Sequence, residues 1–442
     1  MTSAAGAAIN KKEKRVNAKL YVSRLSGAAA VPPSKSAAHR AVLCAGLAPG
    51  VSRIENIEYS DDIRATLNAV RQLGAKVTEE EHALVLEGRQ GFATITHPVF
   101  CKESGSTLRF MIPVFSLTAQ KVQFTGAPRL FERPQEVYRM LFEKQGLQFT
   151  QSAGGITIFG QLRPGQFTLP GDVSSQFISG LLLAAPLMDG DSVIRVQPPF
   201  ESKSYVDMTM DALRRCGIKA ELRAGKQAVY RVAGNQRYAP HSTAIEGDYS
   251  QAAFLAVLGC LIGGITVTGL AQDSHQGDKV ILDILRTCGG KFTVTGEDIH
   301  FERSLLQGTE IDLANCPDLG PVLIALGCFC RGKTIIRNAK RLRLKESDRI
   351  AAMEEELRKF GAVVESDEDT VTVTGGALHP PTAPLSGHND HRVVMSLAVA
   401  AYGAGVPAMI LGANAVNKSW PGFFEVLKTL GAKVVLQDEK KR

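Results

Sequence analysis

Leu73-Gly74-Ala75-Lys76, Cys216-Gly217-Ile218-Lys219, Phe360-Gly361-Ala362-Val363 and Leu430-Gly431-Ala432-Lys433 are versions of one tetrapeptide. Their glycines, with Gly146 and Gly289, form the series Gly74, Gly146, Gly217, Gly289, Gly361 and Gly431, spaced by 72, 71, 72, 72 and 70 residues. Each follows an amphipathic stretch such as 354–360 and precedes alternating, strand-like residues. That context predicts a helix C-cap, where glycine enters the left-handed region without a Cβ penalty. Six copies of one unit set the architecture before any motif is read.

A second marker keeps the period. Six openings precede short, almost wholly apolar stretches: Ser34-Lys35-Ser36, Ser104-Gly105-Ser106, Val173-Ser174-Ser175, Asp248-Tyr249-Ser250, Cys316-Pro317-Asp318 and Asn389-Asp390-His391. Ser, Asp and Asn at such positions read as N-caps, and helices apolar on every side, such as 177–187 and 319–330, read as buried. None reaches the roughly 20 residues of a membrane span. Strands follow, for example 334–336 and 408–411, then an amphipathic helix, the glycine, and a hairpin, clearest at 362–374. The unit is strand, helix, strand, helix, hairpin, a βαβαββ module of an α/β protein, with parallel strands at its two crossovers. Six such units exceed one core, so three plus three is the expected split. The polar stretch 234–242 is the expected hinge. The first strand, 18–22, precedes the first buried helix and can pair in either half.

The formal charge of +7 is mostly terminal. Lys11, Lys12, Lys14, Arg15 and Lys19 against Glu13 give the first 20 residues +4, and the last five add +1. A body near +2 argues against a general nucleic-acid surface. The eight cysteines form no CxxC pair and several lie in apolar runs, as Cys44, Cys260 and Cys328 do. They read as small buried residues in a reducing compartment, and the N-terminus has no apolar signal core. No HxH, HExxH or clustered Cys/His spacing occurs, so no metal is expected, and monomer is the default oligomeric state.

The informative charges sit at helix starts and in strand-to-helix loops. Lys35 with Arg40, Gly105 with Arg109, and His391 with Arg392 lie near helix starts; Arg129, Lys345 with Arg349, and Lys418 lie in other loops. Helix N-termini attract phosphate and carboxylate, and pseudo-symmetric repeats bring equivalent ends together. A cleft so built suits small polyanions. Asp318 reads either as an N-cap or as a proton acceptor, and Glu346 either as a first-turn charge or as a proton carrier. Gly105 reads as a tight helix entry or as a place where backbone approaches a ligand.

Several of these residues form ordered motifs: Pro33-Ser34-Lys35-Ser36 through Arg40, Ser104-Gly105-Ser106-Thr107-Leu108-Arg109, Pro128-Arg129 with Glu132-Arg133-Pro134, Ser174-Ser175-Gln176, Leu344-Lys345-Glu346-Ser347-Asp348-Arg349, and Asn389-Asp390-His391-Arg392. From about Leu20 onward the chain resembles the 5-enolpyruvylshikimate-3-phosphate synthase (3-phosphoshikimate 1-carboxyvinyltransferase) family. The resemblance implies a two-domain inside-out α/β barrel with three repeats per domain. It implies a tail at 1–17, an N-terminal domain at 32–241, and a C-terminal domain of 18–31 plus 242–442, with the site in the cleft between them. It implies transfer of the carboxyvinyl group of phosphoenolpyruvate to the 5-hydroxyl of shikimate 3-phosphate, a cytoplasmic reaction of aromatic amino-acid biosynthesis that needs no cofactor and is the target of glyphosate. By the same resemblance Lys35, Ser36, Arg40, Ser174, Ser175, Gln176, Ser202, Tyr205, Asp318, Arg341 and Lys345 surround shikimate 3-phosphate. Lys35, Gly105, Arg129, Gln176, Arg349, Arg392 and Lys418 hold phosphoenolpyruvate. Asp318, Glu346 and Lys35 are the implied catalytic groups.

The chain departs from the pattern at three places. Glu103 stands where an Asn is often found, Arg341 where some members carry a substrate-contacting Asn, and Lys203-Ser204-Tyr205 where Lys-Pro-Tyr is more familiar. The sister transferases acting on UDP-N-acetylglucosamine typically carry a reactive Cys on a mobile loop near the Arg129 position. Here no Cys lies between Cys101 and Cys216. A non-catalytic anion-binding relative is the other alternative, against which stand Lys35, Asp318 and Glu346.

Overall fold

The computed structural model of the protein describes residues 15–223, 225 and 227–438. Most of the expected tail, 1–14, lies outside the described residues. All six periodic glycines have positive φ: 108° at Gly74, 70° at Gly146, 76° at Gly217, 88° at Gly289, 85° at Gly361 and 99° at Gly431. At Gly74 the amide donates back to Arg71 O and so closes the helix Asp61–Leu73. The repeat is therefore a repeat of one backbone stop signal.

Among the described residues the strands form six four-stranded sheets. The third unit shows the plan whole: strand Gln166–Pro170, helix Ser175–Ala184, strand Ser192–Gln197, helix Lys203–Arg215, then the hairpin Ala220–Arg223 and Ala228–Val232. Its first two strands are parallel, with Phe167 opposite Ile194, and the remaining pairs are antiparallel. This is the order read from the sequence.

Three sheets borrow a strand from elsewhere in the chain. Val16–Tyr21 lies between Ala408–Leu411 and Lys433–Asp438 and completes the sixth sheet. Gly27–Ala30 pairs in parallel with Ile265–Thr268 in the fourth. Ser242–Ala244 pairs in parallel with Arg53–Glu55 in the first.

Among the described residues the buried apolar side chains fall into two clusters. One runs from Ala38 to Ile245. The other combines Ala18, Leu20, Leu25 and Ala29 with side chains from Tyr249 to Val434. Residues 242–245 therefore pack with the first set, against the expectation that the second domain resumes at 242. The stretch 234–242 is not the crossing either. Tyr238 is buried there, and its hydroxyl donates to Leu183 O at 2.7 Å. Polar, turn-prone composition marked a surface loop, whereas the crossings are extended chain. Ser34 N donates to Glu246 O at 2.7 Å and Asp248 N to Pro32 O at 2.9 Å, so the two crossing segments pair antiparallel.

The buried helices approach closely where side chains vanish. A Cβ on Gly180 would lie 2.3 Å from Arg109 O and 2.4 Å from Tyr138 Oη. Pro113, inside the helix Gly105–Ser116, has no N–H for Arg109 O. The Tyr138 hydroxyl lies 2.8 Å from that carbonyl and satisfies it. Among the described residues no helix is long and apolar enough to cross a membrane, and all eight cysteines are free and buried.

Candidate active site

The starts of the buried helices meet at one cleft. Ser34, Ser104, Ser174, Asp248 and Asp390 each cap a helix by accepting a backbone N–H. The residues after four of these caps are set at the wall: Lys35 and Ser36, Gly105 and Ser106, Ser175 and Gln176, His391 and Arg392. The fifth start differs. Asp318 does not cap its helix; it lies in the 3₁₀ turn Pro317–Leu319, which no side chain caps. Three cations draw its carboxylate into the cleft instead. Lys345 Nζ is 3.2 Å from Oδ1, Arg349 Nη1 is 3.4 Å from Oδ1, and Arg392 Nη2 is 3.0 Å from Oδ2.

Two carboxylates stay ionised among these cations. Burial pushes the Asp318 carboxyl up, but Arg392, Lys345, Arg349 and Lys35 together hold it well below the usual carboxylate range. Glu346 accepts from Arg349 Nη2 at 2.8 Å and faces Arg133 Nη1 at 3.5 Å. Burial again opposes, and the charges of Arg349, Arg133 and Lys345 hold it well below its ordinary value. Burial lowers the Lys345 ammonium to about 8, with Asp318 resisting.

Arg349 is locked behind this pair. Its Nε donates to Asp390 Oδ2 at 2.8 Å, while Asp390 Oδ1 caps the helix His391–Ala404 through Arg392 N at 2.9 Å. One buried aspartate thus orients two arginines. His391 is buried, lines the cleft and has no hydrogen-bond partner on either ring nitrogen. Burial and Lys35 hold its pKa well below the ordinary value, so the ring is neutral.

On the opposite wall, Lys35 Nζ pairs with Asp62 Oδ2 at 2.8 Å, and Lys35 N donates to Asp248 Oδ2 at 3.0 Å. Arg40 donates to Thr209 Oγ1 at 2.7 Å, Ser36 O at 2.6 Å and Tyr205 O at 2.7 Å. Its guanidinium therefore fixes one helix to another while facing the cleft. Gln176 bridges, accepting from Arg109 Nη1 at 2.8 Å and donating to Ser106 Oγ at 2.9 Å. The Tyr205 hydroxyl donates to Asp278 Oδ2 at 2.7 Å. Burial and Asp318 push the Asp278 carboxyl up to about 7. Ser202 adopts a left-handed φ of 53°, and its hydroxyl accepts from Arg341 Nη2 at 3.0 Å.

Most residues singled out in the sequence line this cleft, namely Lys35, Ser36, Arg40, Gly105, Ser174, Ser175, Gln176, Ser202, Tyr205, Asp318, Arg341, Lys345, Glu346, Arg349 and Arg392. Two do not. Arg129 turns to Glu132 Oε2 at 3.2 Å and Arg343 O at 3.2 Å. Lys418 pairs with Glu103 and Asn389 O. Arg341 reaches the wall, yet its charge meets Glu201 Oε2 at 2.6 Å. Asp62 and Asp278 escaped the sequence reading because each acts through a tertiary pair. Asp62 alone looks like an ordinary acid in a helix first turn.

A Cβ at Gly105 would lie 2.8 Å from Arg133 Nη1. The close neighbour of that glycine is therefore a guanidinium, which in turn faces Glu346. Among the described residues Glu355, Glu356 and His388 come close enough to share a cation. There the Lys359 ammonium already lies 2.8 Å from both Glu356 oxygens. The cleft itself gathers cations, and its chemistry is that of an anion site with two ionised carboxylates.

A family model described as EPSP synthase (3-phosphoshikimate 1-carboxyvinyltransferase) matches residues 21–427. The chain is 41% identical over 413 residues to the 3-phosphoshikimate 1-carboxyvinyltransferase of Clostridium kluyveri, covering 93% of this chain and 96% of that protein. It is 39% identical over 426 residues to the protein of the same name from Clostridium novyi, covering 94% and 97%. Among solved structures, EPSP synthase from Acinetobacter baumannii superposes with a TM-score of 0.78 at 25% identity, covering 96% of this chain and 100% of that one. The enolpyruvyl transferase NikO from Streptomyces tendae superposes with a TM-score of 0.77 at 18% identity, a likeness of fold alone.

Proposed function

The chain belongs to the EPSP synthase family, so its reaction is carboxyvinyl transfer from phosphoenolpyruvate to shikimate 3-phosphate, and we propose that the cleft between its two halves performs it. The observation that carries this reading is the pairing of two ionised carboxylates, Asp318 and Glu346, with Lys35, Lys345, Arg349 and Arg392 around one opening. Shikimate 3-phosphate takes the side formed by Ser36, Arg40, Ser174, Ser175, Ser202 and Tyr205. Phosphoenolpyruvate takes the side of Gly105, Arg349 and Arg392, with Lys35 and Gln176 between the two. Arg129 and Lys418 join that side when the substrate anion draws them from their present partners. Arg341 supports Ser202 rather than touching the sugar phosphate.

Asp318 accepts the proton of the 5-hydroxyl as its oxygen bonds to C2 of phosphoenolpyruvate. Asp318 can act as base once substrate anions neutralise its three cations, which raises its proton affinity. C3 takes a proton from the Glu346 and Lys35 side, giving a tetrahedral intermediate that bears phosphate and carboxylate. Loss of a C3 proton then re-forms the double bond and expels inorganic phosphate. The arginines stabilise charge as it moves onto the leaving group. The paired crossing segments let the two halves close and exclude water, which would compete as nucleophile.

Asp318→Asn tests the assignment. The variant keeps shikimate 3-phosphate binding by calorimetry and loses kcat by about a thousandfold or more. A kcat equal to that of the unaltered protein contradicts the role of Asp318.

A further inference from the structure

We propose that Glu103 sets the anion affinity of the phosphoenolpyruvate subsite by holding Lys418 from the opposite half of the molecule. This rests on the reading that Lys418 serves that subsite. Glu103 precedes the helix Gly105–Ser116, while Lys418 ends the 3₁₀ turn Ala413–Lys418. The Lys418 ammonium donates to the Glu103 carboxylate and to Asn389 O. Asn389 Nδ2 donates to the same carboxylate, 3.1 Å from Oε1 and 3.2 Å from Oε2.

Both loops are shaped for this contact. Lys102, just before Glu103, has φ +52°, and Asn389 has φ +51°. Left-handed backbone is costly for lysine and milder for asparagine, so the turn at Lys102 is held by its surroundings. The Lys418 side chain is 7% exposed and that of Glu103 is 19%. In such shielded surroundings a counter-ion weighs more than it does in water.

Held in this way, Lys418 stands off the cleft wall. An incoming phosphate or carboxylate must take the ammonium from Glu103, or bind with the Glu103 charge still beside it. Both routes discount the attraction that Lys418 offers. A neutral amide at 103 keeps hydrogen bonds to Asn389 and Lys418 without that discount. Glu103 touches no reacting atom in this arrangement and is a positioning residue. It also gives physical content to the sequence departure at 103, where the family often has Asn.

Glu103→Gln tests the proposal, with Glu103→Asn as a second replacement should the first fold poorly. The readouts are the KM values for both substrates and inhibition by inorganic phosphate competitive with phosphoenolpyruvate. The KM for phosphoenolpyruvate and the phosphate inhibition constant fall together by about tenfold, while the KM for shikimate 3-phosphate does not follow. A purely structural role would not split the two KM values. An unchanged or raised KM for phosphoenolpyruvate overturns the proposal. Lys418→Met locates the fault. If it raises the KM for phosphoenolpyruvate while Glu103→Gln lowers nothing, the Glu103 proposal alone fails. If Lys418→Met leaves that KM unchanged, the subsite reading fails and takes the proposal with it.

Discussion

At the scale of single residues, the cleft is governed by which partner each charge already has. Asp318 opens an apolar run, a position that in the sequence suits either a helix cap or a proton acceptor. Its carboxylate instead has three cations within 3.4 Å, and a charge in that company turns to them rather than to a helix end. No local pattern encodes that choice, since Lys345, Arg349 and Arg392 arrive from other segments. The same holds for the pairs Lys35 with Asp62 and Tyr205 with Asp278. The motif residues were legible because their types and spacings are local; their pairings were not. Gly105 gives a test at this scale. A methyl there would press on Arg133, 2.8 Å away, and shift it relative to Glu346. Gly105→Ala therefore raises the inhibition constant of glyphosate by about tenfold or more, because small displacements of a positioned charge cost ligand affinity steeply. An unchanged constant in a steady-state inhibition assay would contradict the placement of that inhibitor beside Gly105.

At the scale of elements, the six glycines show what periodicity can report. A left-handed glycine after an amphipathic helix is a local backbone event, so all six were visible in the sequence and all six have positive φ. Strand exchange is not local. Nothing in Ser242–Ala244 announces that it will pair with Arg53–Glu55 rather than with the following unit. The loop 387–390, which leads into the helix that sets His391 and Arg392 at the cleft wall, is anchored by another non-local device. Glu356, with none of its side chain exposed, pairs with His388 Nε2 at 3.0 Å and accepts from Ser386 N at 2.9 Å. Its hydrogen bond to Glu356 raises the His388 pKa. A raised folded-state pKa stabilises the fold fully below the unfolded value, about 6.5, and that share is lost as pH rises through the folded value. His388→Asn keeps a residue tolerant of the left-handed φ of 46° but removes the ring. The variant is less stable than the unaltered protein by about 1 kcal/mol near pH 6, and the gap narrows toward pH 9. Thermal unfolding across that range checks it; a gap that widens with pH contradicts the pairing.

At the scale of the whole molecule, two separate cores joined by two antiparallel crossing segments place the starts of five buried helices around one cleft. Four-stranded sheets and buried helices build each half, and neither half alone holds the full charge set. Asp318, Glu346, Arg349 and Arg392 come from one half, and Lys35, Arg40, Arg109 and Arg133 from the other. Chemistry in this account thus needs both substrates and a closed cleft. The central measurement is phosphate release by the purified protein with phosphoenolpyruvate and shikimate 3-phosphate, each alone and both together, with UDP-N-acetylglucosamine as a second acceptor. Carboxyvinyl transfer in this cleft predicts release when both substrates are present, none with either alone, and none when the sugar nucleotide replaces shikimate 3-phosphate. Release with phosphoenolpyruvate alone, or with the sugar nucleotide as acceptor, would contradict it.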